Sequence, residues 1–284
     1  MRSHRIAVLP GDGIGREIMP HALAVLQEAA QLDGGFQLET EHYPWGCEYF
    51  LETGVIMPED GIEILRDFDA IYFVAAGHPA VTDYRSAWEF IFVMRKHFKQ
   101  FVNVRPVRSW IGVPTLLADQ SHTVDFVIVR ENSEGEYAGP GGIVHEGHSN
   151  ELAIQTSVFT RAGVERIARY AFELARTRRK RVTNVTKSNA LLHSLRFWDK
   201  IVAQVREEYP DVAYEMLYVD AATMKFMQNP GWFDVIVTTN LFGDILSDQG
   251  GAMMGSIGLA PSANLDPGKE FPSMFEPVHG SAPD

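Results

Sequence analysis

Basic residues are in short supply: 25 Lys and Arg stand against 37 Asp and Glu, a net charge of −12 over 284 residues. That deficit argues against wholesale binding to nucleic acid or to an anionic membrane, while a local arginine cluster still leaves room for small anionic ligands. Cysteine is nearly absent. The single Cys47 has no partner for an intrachain disulfide, so the fold does not depend on an oxidising compartment. Clustered Cys and His ligands are missing, which disfavours a zinc centre. No apolar run reaches membrane-spanning length, and IAVL (6–9) is too short for the core of a signal peptide, so the expectation is a cytoplasmic protein. Internal repeats and low-complexity tracts are lacking too.

What is present is a regular alternation. Short β-branched runs occur at 5–9, 36–43, 70–76, 124–130, 181–185, 212–219 and 234–240, separated by helix-length amphipathic segments at 15–31, 86–98, 160–176, 190–208 and 241–254. This pattern predicts an α/β protein with a largely parallel, covered sheet. The glycine-rich stretch 131–150 reads as an excursion from the main layers, returning as a strand over 151–159. The basic run RTRRKR (176–181) closes a helix, where cations complement the helix dipole and stay solvated. FEPVHGSAPD (275–284) reads as the interior of a loop, so the chain is expected to continue beyond Asp284.

Chemistry-bearing residues collect at strand ends. LPGDGIG (9–15) joins the first strand to the first helix and suits either a tight turn or a ligand loop at a helix N-terminus. It is not G-x-G-x-x-G, and no acidic residue ends a second strand in the dinucleotide pattern. Arg95 closes a helix, Arg105 lies on the strand that follows, and Arg130 ends VDFVIVR. Their planar forks together suit a dicarboxylate or a phosphate, although any one alone reads more readily as solvated surface. Lys187 in TKSN (186–189) sits at a strand end, where desolvation and neighbouring cations move a lysine towards general-base range. Asp220 follows another strand. Asp244 and Asp248 share one face of a helix one turn apart, where like charges repel unless something positive joins them. Three such carboxylates are hard ligands for Mg²⁺ or Mn²⁺. The aspartates alone also allow a metal-dependent phosphohydrolase.

LPGDGIG, NVRPVR, VRENSEGEY, TKSN, NLFGDILSD and EPVHGSAPD, in that order, resemble the β-decarboxylating dehydrogenases, the family of isocitrate, isopropylmalate and tartrate/D-malate dehydrogenases. The resemblance implies a two-domain isopropylmalate-dehydrogenase-like α/β fold with a large mixed, mostly parallel sheet, not a Rossmann fold. The first domain would combine 1–102 with 253–284; the second, 103–252, would carry the dimer contacts with a clasp near 131–159. By the same resemblance Arg95, Arg105 and Arg130 grip the substrate, and Asp220, Asp244 and Asp248 hold Mg²⁺ or Mn²⁺. Lys187 takes the hydroxyl proton and Tyr137 protonates carbon after CO₂ leaves. Lys187 and Asp220 serve the second subunit, so the active unit is a homodimer with shared sites. NAD is placed by Asn189, Glu276, His279, Gly280, Ser281, Ala282 and Asp284. Residues choosing NAD over NADP are expected beyond Asp284, and a monovalent cation such as K⁺ is left open.

Within the family, Ser86-Ala87-Trp88 is similar to the Ser-Leu-Trp of the tartrate/D-malate branch. Ser86 and a bulky Trp88 favour a small C4 diacid over an isopropyl-bearing one. Arg85 and Glu89 depart from that branch, which usually has an uncharged residue and glycine there, and Ala87 opens a little volume. Isopropylmalate-type activity is the alternative. A non-catalytic remnant or regulatory subunit is the alternative from another class.

Overall fold

The central strands carry continuous apolar runs, as strands covered on both faces do. The computed structural model describes residues 2–117 and 124–283, and the chain divides into two units, Met1–Phe101 with Gly258–Asp284, and Val102–Ile257.

The first unit begins with β1 (Arg2–Gly11), α1 (Ile14–Asp33), β2 (Phe36–His42), α2 (Cys47–Thr53), α3 (Gly61–Arg66) and β3 (Ala70–Ala75). Then come α4 (Asp83–Ser86), a π-helical turn (Ala87–Ile91) and α5 (Phe92–His97). In β1, Ala7, Val8 and Leu9 are wholly buried.

The second unit runs through β4 (Val102–Arg108), β5 (Asp125–Glu131), β6 (Gly141–Val144), β7 (Leu152–Gln155), α6 (Arg161–Arg176) and β8 (Arg181–Thr186). It continues with α7 (Ser194–Arg206), β9 (Ala213–Tyr218), α8 (Val219–Gln228), β10 (Val235–Thr238) and α9 (Asn240–Met253). The chain returns to the first unit with β11 (Pro261–Leu265) and β12 (Ser273–Pro277). In α6, Val164, Ile167, Ala168, Ala171, Phe172 and Ala175 recur at three- and four-residue spacing and are buried, while Thr160 caps the helix by accepting from Gly163 N.

Strand order in the first unit is β2-β1-β3-β12-β11, parallel except for β11. In the second unit it is β4-β5-β10-β8-β9, with β4 antiparallel to β5 and the other pairs parallel. The fold is therefore α/β with a mixed, mostly parallel sheet. The parallel strands of the second unit all end at one edge, and α8 and α9 start there.

Several elements differ from the sequence reading. The helix expected over 86–98 starts at Asp83 and widens into the π-turn, where Phe92 N bonds Ala87 O. With this wider turn Phe90 is fully buried while Trp88 stacks on Tyr84 and meets Phe92 edge to face. The segment 275–277, read as loop, belongs to β12. Its residues lack β-branched character, and pairing to β3 on one side and β11 on the other makes it a strand. The strand expected over 151–159 is only β7, the exposed partner of β6 in a two-stranded ribbon. RTRRKR is ion-paired, not merely solvated: Arg176 meets Asp211 at 2.8 Å, and Arg178 reaches Asp125 at 2.7 Å and Asp234 at 2.9 Å.

Asp12 of LPGDGIG is fully buried and accepts from the amides of Cys47 (2.9 Å), Glu48 (2.8 Å) and Gly77 (2.9 Å). It ties β1 to the start of α2 and to the segment after β3. Replacing it by alanine leaves three amides without their acceptor, each costing ~1–3 kcal/mol. Asp12→Ala should therefore lower the Tm by roughly 10 °C in calorimetry, with Asp12→Asn recovering part. An unchanged Tm for Asp12→Ala would contradict this role.

Candidate functional site

The parallel order β5-β10-β8-β9 brings to one edge Arg130 at the end of β5, Asn240 just past β10, Lys187 past β8 and Asp220 past β9. Such edges are where α/β sheets bind ligands, because loops diverge and helix N-termini face the opening. Two clusters form there.

The first is built on Asp244. Arg130 (2% exposed) donates Nη1 to Asp244 Oδ1 at 2.6 Å, and its Nε and Nη2 to Asn240 Oδ1 at 2.9 and 2.7 Å. Arg105 (5% exposed) donates Nη1 to the same Asp244 Oδ1 at 3.0 Å and to Ser247 Oγ at 2.5 Å. The antiparallel β4–β5 ladder, with Asn103 opposite Arg130 and Arg105 opposite Ile128, sets the two guanidiniums near one helix. Gly243 permits this approach, since a Cβ there would lie 2.6 Å from the Arg130 side chain. Tyr137 donates its hydroxyl to Asp244 Oδ2 at 3.4 Å, with the Arg130 guanidinium 5.8 Å from its ring centre. Burial first, then the charge of Asp244, holds the Tyr137 phenol above its ordinary pKa, which keeps it protonated. The positive partner that the Asp244/Asp248 spacing called for is thus supplied to Asp244 by two arginines.

Asp248 is pushed up by burial and then by the charge of Asp244, against the lowering influence of Arg105 and Arg130. An acidic pair still under repulsion, made of hard oxygen donors, fits Mg²⁺ or Mn²⁺. Among the described residues, no group of three His, Cys, Asp or Glu side chains in the single chain is placed to hold a metal ion.

The second cluster is Lys187 with Asp220, Nζ to Oδ1 at 2.5 Å. The lysine's hydrogen bond holds the exposed Asp220 carboxyl below its usual range. The charged partner beside Lys187 is an anion, Asp220, in place of the cations that its sequence position suggests. Asn189 is exposed in the turn that follows β8.

In the first unit, Arg95 is buried and donates Nη2 to the equally buried Glu276 at 2.9 Å, and Asn264 Nδ2 donates to the same Glu276 oxygen at 2.6 Å. Glu276, expected beside the cofactor, thus binds the arginine expected beside the substrate. Ser86 is buried and Trp88 half-buried. The ring of Trp88 lies 6.1 Å from Tyr84 and 5.2 Å from Phe92. Arg85 and Glu89, the two departures from the branch pattern, pair with each other at 3.1 Å, and Arg85 also covers Phe50.

LPGDGIG spends its amides internally. Asp12 N donates to Ala75 O, Gly13 N to Glu48 Oε1 and Ile14 N to Ser281 O. Gly13 has φ 53°, and a Cβ there would sit 2.4 Å from Ser281 O. This loop is a structural turn against 280–282, and it offers none of these three amides to a phosphate. His279 is half-buried with Nδ1 2.8 Å from Gly280 O, Gly280 and Ala282 are exposed, and Ala282 has φ 47°. Asp284 lies outside the described residues.

Sequence reasoning missed Asn240, Ser247 and Glu131. The first two share a helical face with Asp244 and Asp248 at spacings of four, seven and eight from Asn240, so the spacing could have shown them. Glu131 gives no comparable signal: its burial depends on how the loop folds back.

Known proteins resemble this chain along most of its length. Residues 5–284 match the family described as isocitrate/isopropylmalate dehydrogenase. The chain is 52% identical over 288 residues to the D-malate dehydrogenase [decarboxylating] of Escherichia coli (strain K12), covering 100% of this chain and 80% of that protein. It is 50% identical over 287 residues to a tartrate dehydrogenase/decarboxylase of Pseudomonas putida, covering 99% and 78%. Among solved structures, isocitrate dehydrogenase from Methylococcus capsulatus superposes with a TM-score of 0.87 at 37% identity, over 99% of this chain and 79% of that one. A match along nearly the whole chain, relatives at half identity and a shared fold together place this chain in the isocitrate/isopropylmalate dehydrogenase family of oxidoreductases.

Proposed function

We propose that the chain oxidises and β-decarboxylates a small 2-hydroxy diacid, D-malate or tartrate, with NAD and Mg²⁺ or Mn²⁺. The observation that carries this reading is the convergence of Arg105, Arg130 and Tyr137 on Asp244. A metal-carboxylate position then lies beside two carboxylate-binding forks and a phenol that keeps its proton. The names of the two relatives at half identity support the choice of substrate.

Arg105 and Arg130 bind and orient the carboxylates of the diacid, and Arg95 is assigned the same task. Asp244 and Asp248, with Asp220 of a second copy, would hold the divalent cation, which when bound lowers the pKa of the substrate hydroxyl. Lys187 of a second copy, in its neutral form, accepts that proton directly or through water. NAD when bound supplies the hydride acceptor, with Asn189 and the 276–284 segment, Glu276, His279, Gly280, Ser281, Ala282 and Asp284, as its side of the site. Loss of CO₂ from the β-keto acid leaves a carbanionic carbon, to which Tyr137 delivers its proton.

A homodimer follows from this division of labour. The second unit exposes Leu192, Met224, Met227 and Ile245, each at least half exposed, as well as the apolar side chains of the β6–β7 ribbon. Domain roles follow too: residues 1–101 with 258–284 form the cofactor side, and 102–257 the dimer and metal side. Isopropylmalate-type activity is the second reading. Trp88, held between Tyr84 and Phe92, weighs against it by filling space a branched substituent needs.

The complete enzyme should reduce NAD⁺ with D-malate or tartrate in the presence of Mn²⁺, lose activity in EDTA and regain it on adding Mn²⁺. Lys187→Ala should lower kcat by ~10²–10⁴. No NAD⁺ reduction with D-malate, tartrate or isopropylmalate would reject the reading in favour of a non-catalytic chain. Trp88→Leu should raise kcat/KM for isopropylmalate relative to D-malate by ~10-fold or more, whereas an unchanged ratio in a substrate panel would remove Trp88 from specificity.

A further inference from the structure

Glu131 is fully buried at the end of β5, and the mechanism leaves it without a task. Its two carboxylate oxygens accept from Ser133 N at 3.1 and 3.0 Å, and from Ser133 Oγ (2.8 Å) and Glu134 N (2.6 Å). Behind it, Arg166 of α6 lies 3.6 Å from Oε1 and donates Nη2 to Ser133 Oγ at 2.5 Å. A carboxylate that gathers two consecutive amides turns the chain sharply as it leaves the strand.

The turn delivers Tyr137. Beyond it Gly135 pairs with Val158, its amide donating to Val158 O at 2.8 Å and its carbonyl accepting from Val158 N at 3.1 Å. Tyr137 follows in the short helix Glu136–Ala138, with its hydroxyl on Asp244. Arg130, the residue before Glu131, is held at that same Asp244, so the chain leaves the cluster at Arg130 and re-enters it seven residues later at Tyr137. Successive strand residues point to opposite faces, which puts the Glu131 carboxylate away from the substrate side that Arg130 serves.

We propose that Glu131 is a positioning residue: its carboxylate fixes the turn that carries Tyr137 to Asp244, and so sets the rate of proton delivery without touching substrate. The proposal rests on the reading of Tyr137 as the acid. Glu131→Gln tests it, because the amide keeps the volume but opposes an NH₂ group to the amides the carboxylate had accepted from.

In the complete enzyme with Mn²⁺, NAD⁺ and D-malate, Glu131→Gln should lower kcat ~10–100-fold, as a misplacement near 1 Å does, with KM for D-malate within about threefold. The same substitution in a Tyr137→Phe background should leave kcat within about twofold of Tyr137→Phe alone, as two residues acting through one step do. In protein labelled with ¹³Cζ-tyrosine, the signal absent from Tyr137→Phe should shift in Glu131→Gln. A kcat fall of equal size in both backgrounds, a wild-type kcat in Glu131→Gln, or an unmoved tyrosine signal would each overturn the proposal. A Tyr137→Phe enzyme as fast as the wild type would instead remove the acid role of Tyr137, and this role of Glu131 with it. If Glu131→Gln does not fold, Ser133→Ala removes one donor to the carboxylate and carries the same double-variant comparison.

Discussion

Two nearly buried guanidiniums on a single carboxylate organise the second unit. Arg105 and Arg130 are 5% and 2% exposed, and charges so far from water need opposite charge and well-aligned acceptors. Asp244 supplies charge, Asn240 and Ser247 supply further acceptors, and all three come from α9. β4 and β5 must therefore hold the arginines while β10 delivers α9 beside them, and the strand order β4-β5-β10 does that. The charge balance extends to the proposed function. Two arginines and two aspartates sum to zero formally, and a divalent cation with a dianionic diacid adds equal and opposite charge.

The first unit shows the same economy in another form. Arg95 is matched by Glu276, and Glu276 is further held by Asn264 from the neighbouring strand. The arginine expected to meet substrate is thereby joined to the strand that leads into His279 and Ser281. LPGDGIG has a mechanical part in this arrangement. Its aspartate ties α2 and the segment after β3 to β1, and its glycine at position 13 lets the turn close on Ser281.

Much of this was legible in the chain. The apolar cores FVIV (126–129) and VIV (235–237) marked strands covered on both faces, and the helical face of α6 showed in its spacing. The strand-end positions of Arg130, Lys187 and Asp220 followed from where those runs stop. Legibility failed where a residue's environment comes from distant partners. SMFEP becomes β12 only because β3 and β11 flank it, since Phe275 alone among its residues favours a strand. Lys187 was expected among cations and instead faces Asp220, because β8 and β9 are neighbours in a sheet whose order local sequence does not encode.

The sequence by itself determined most of the element types, the α/β class and the residue chemistry at the strand ends, since periodicity and side-chain type are local properties. Only the tertiary structure decided which of those residues meet. Strand order placed Arg105, Arg130, Tyr137 and Asp244 in one cluster and Lys187 with Asp220 in another. The fold of one loop buried Glu131 beneath the turn that carries Tyr137. Proximity of residues remote in sequence is set by packing and pairing across the whole sheet, which no local window of residues contains.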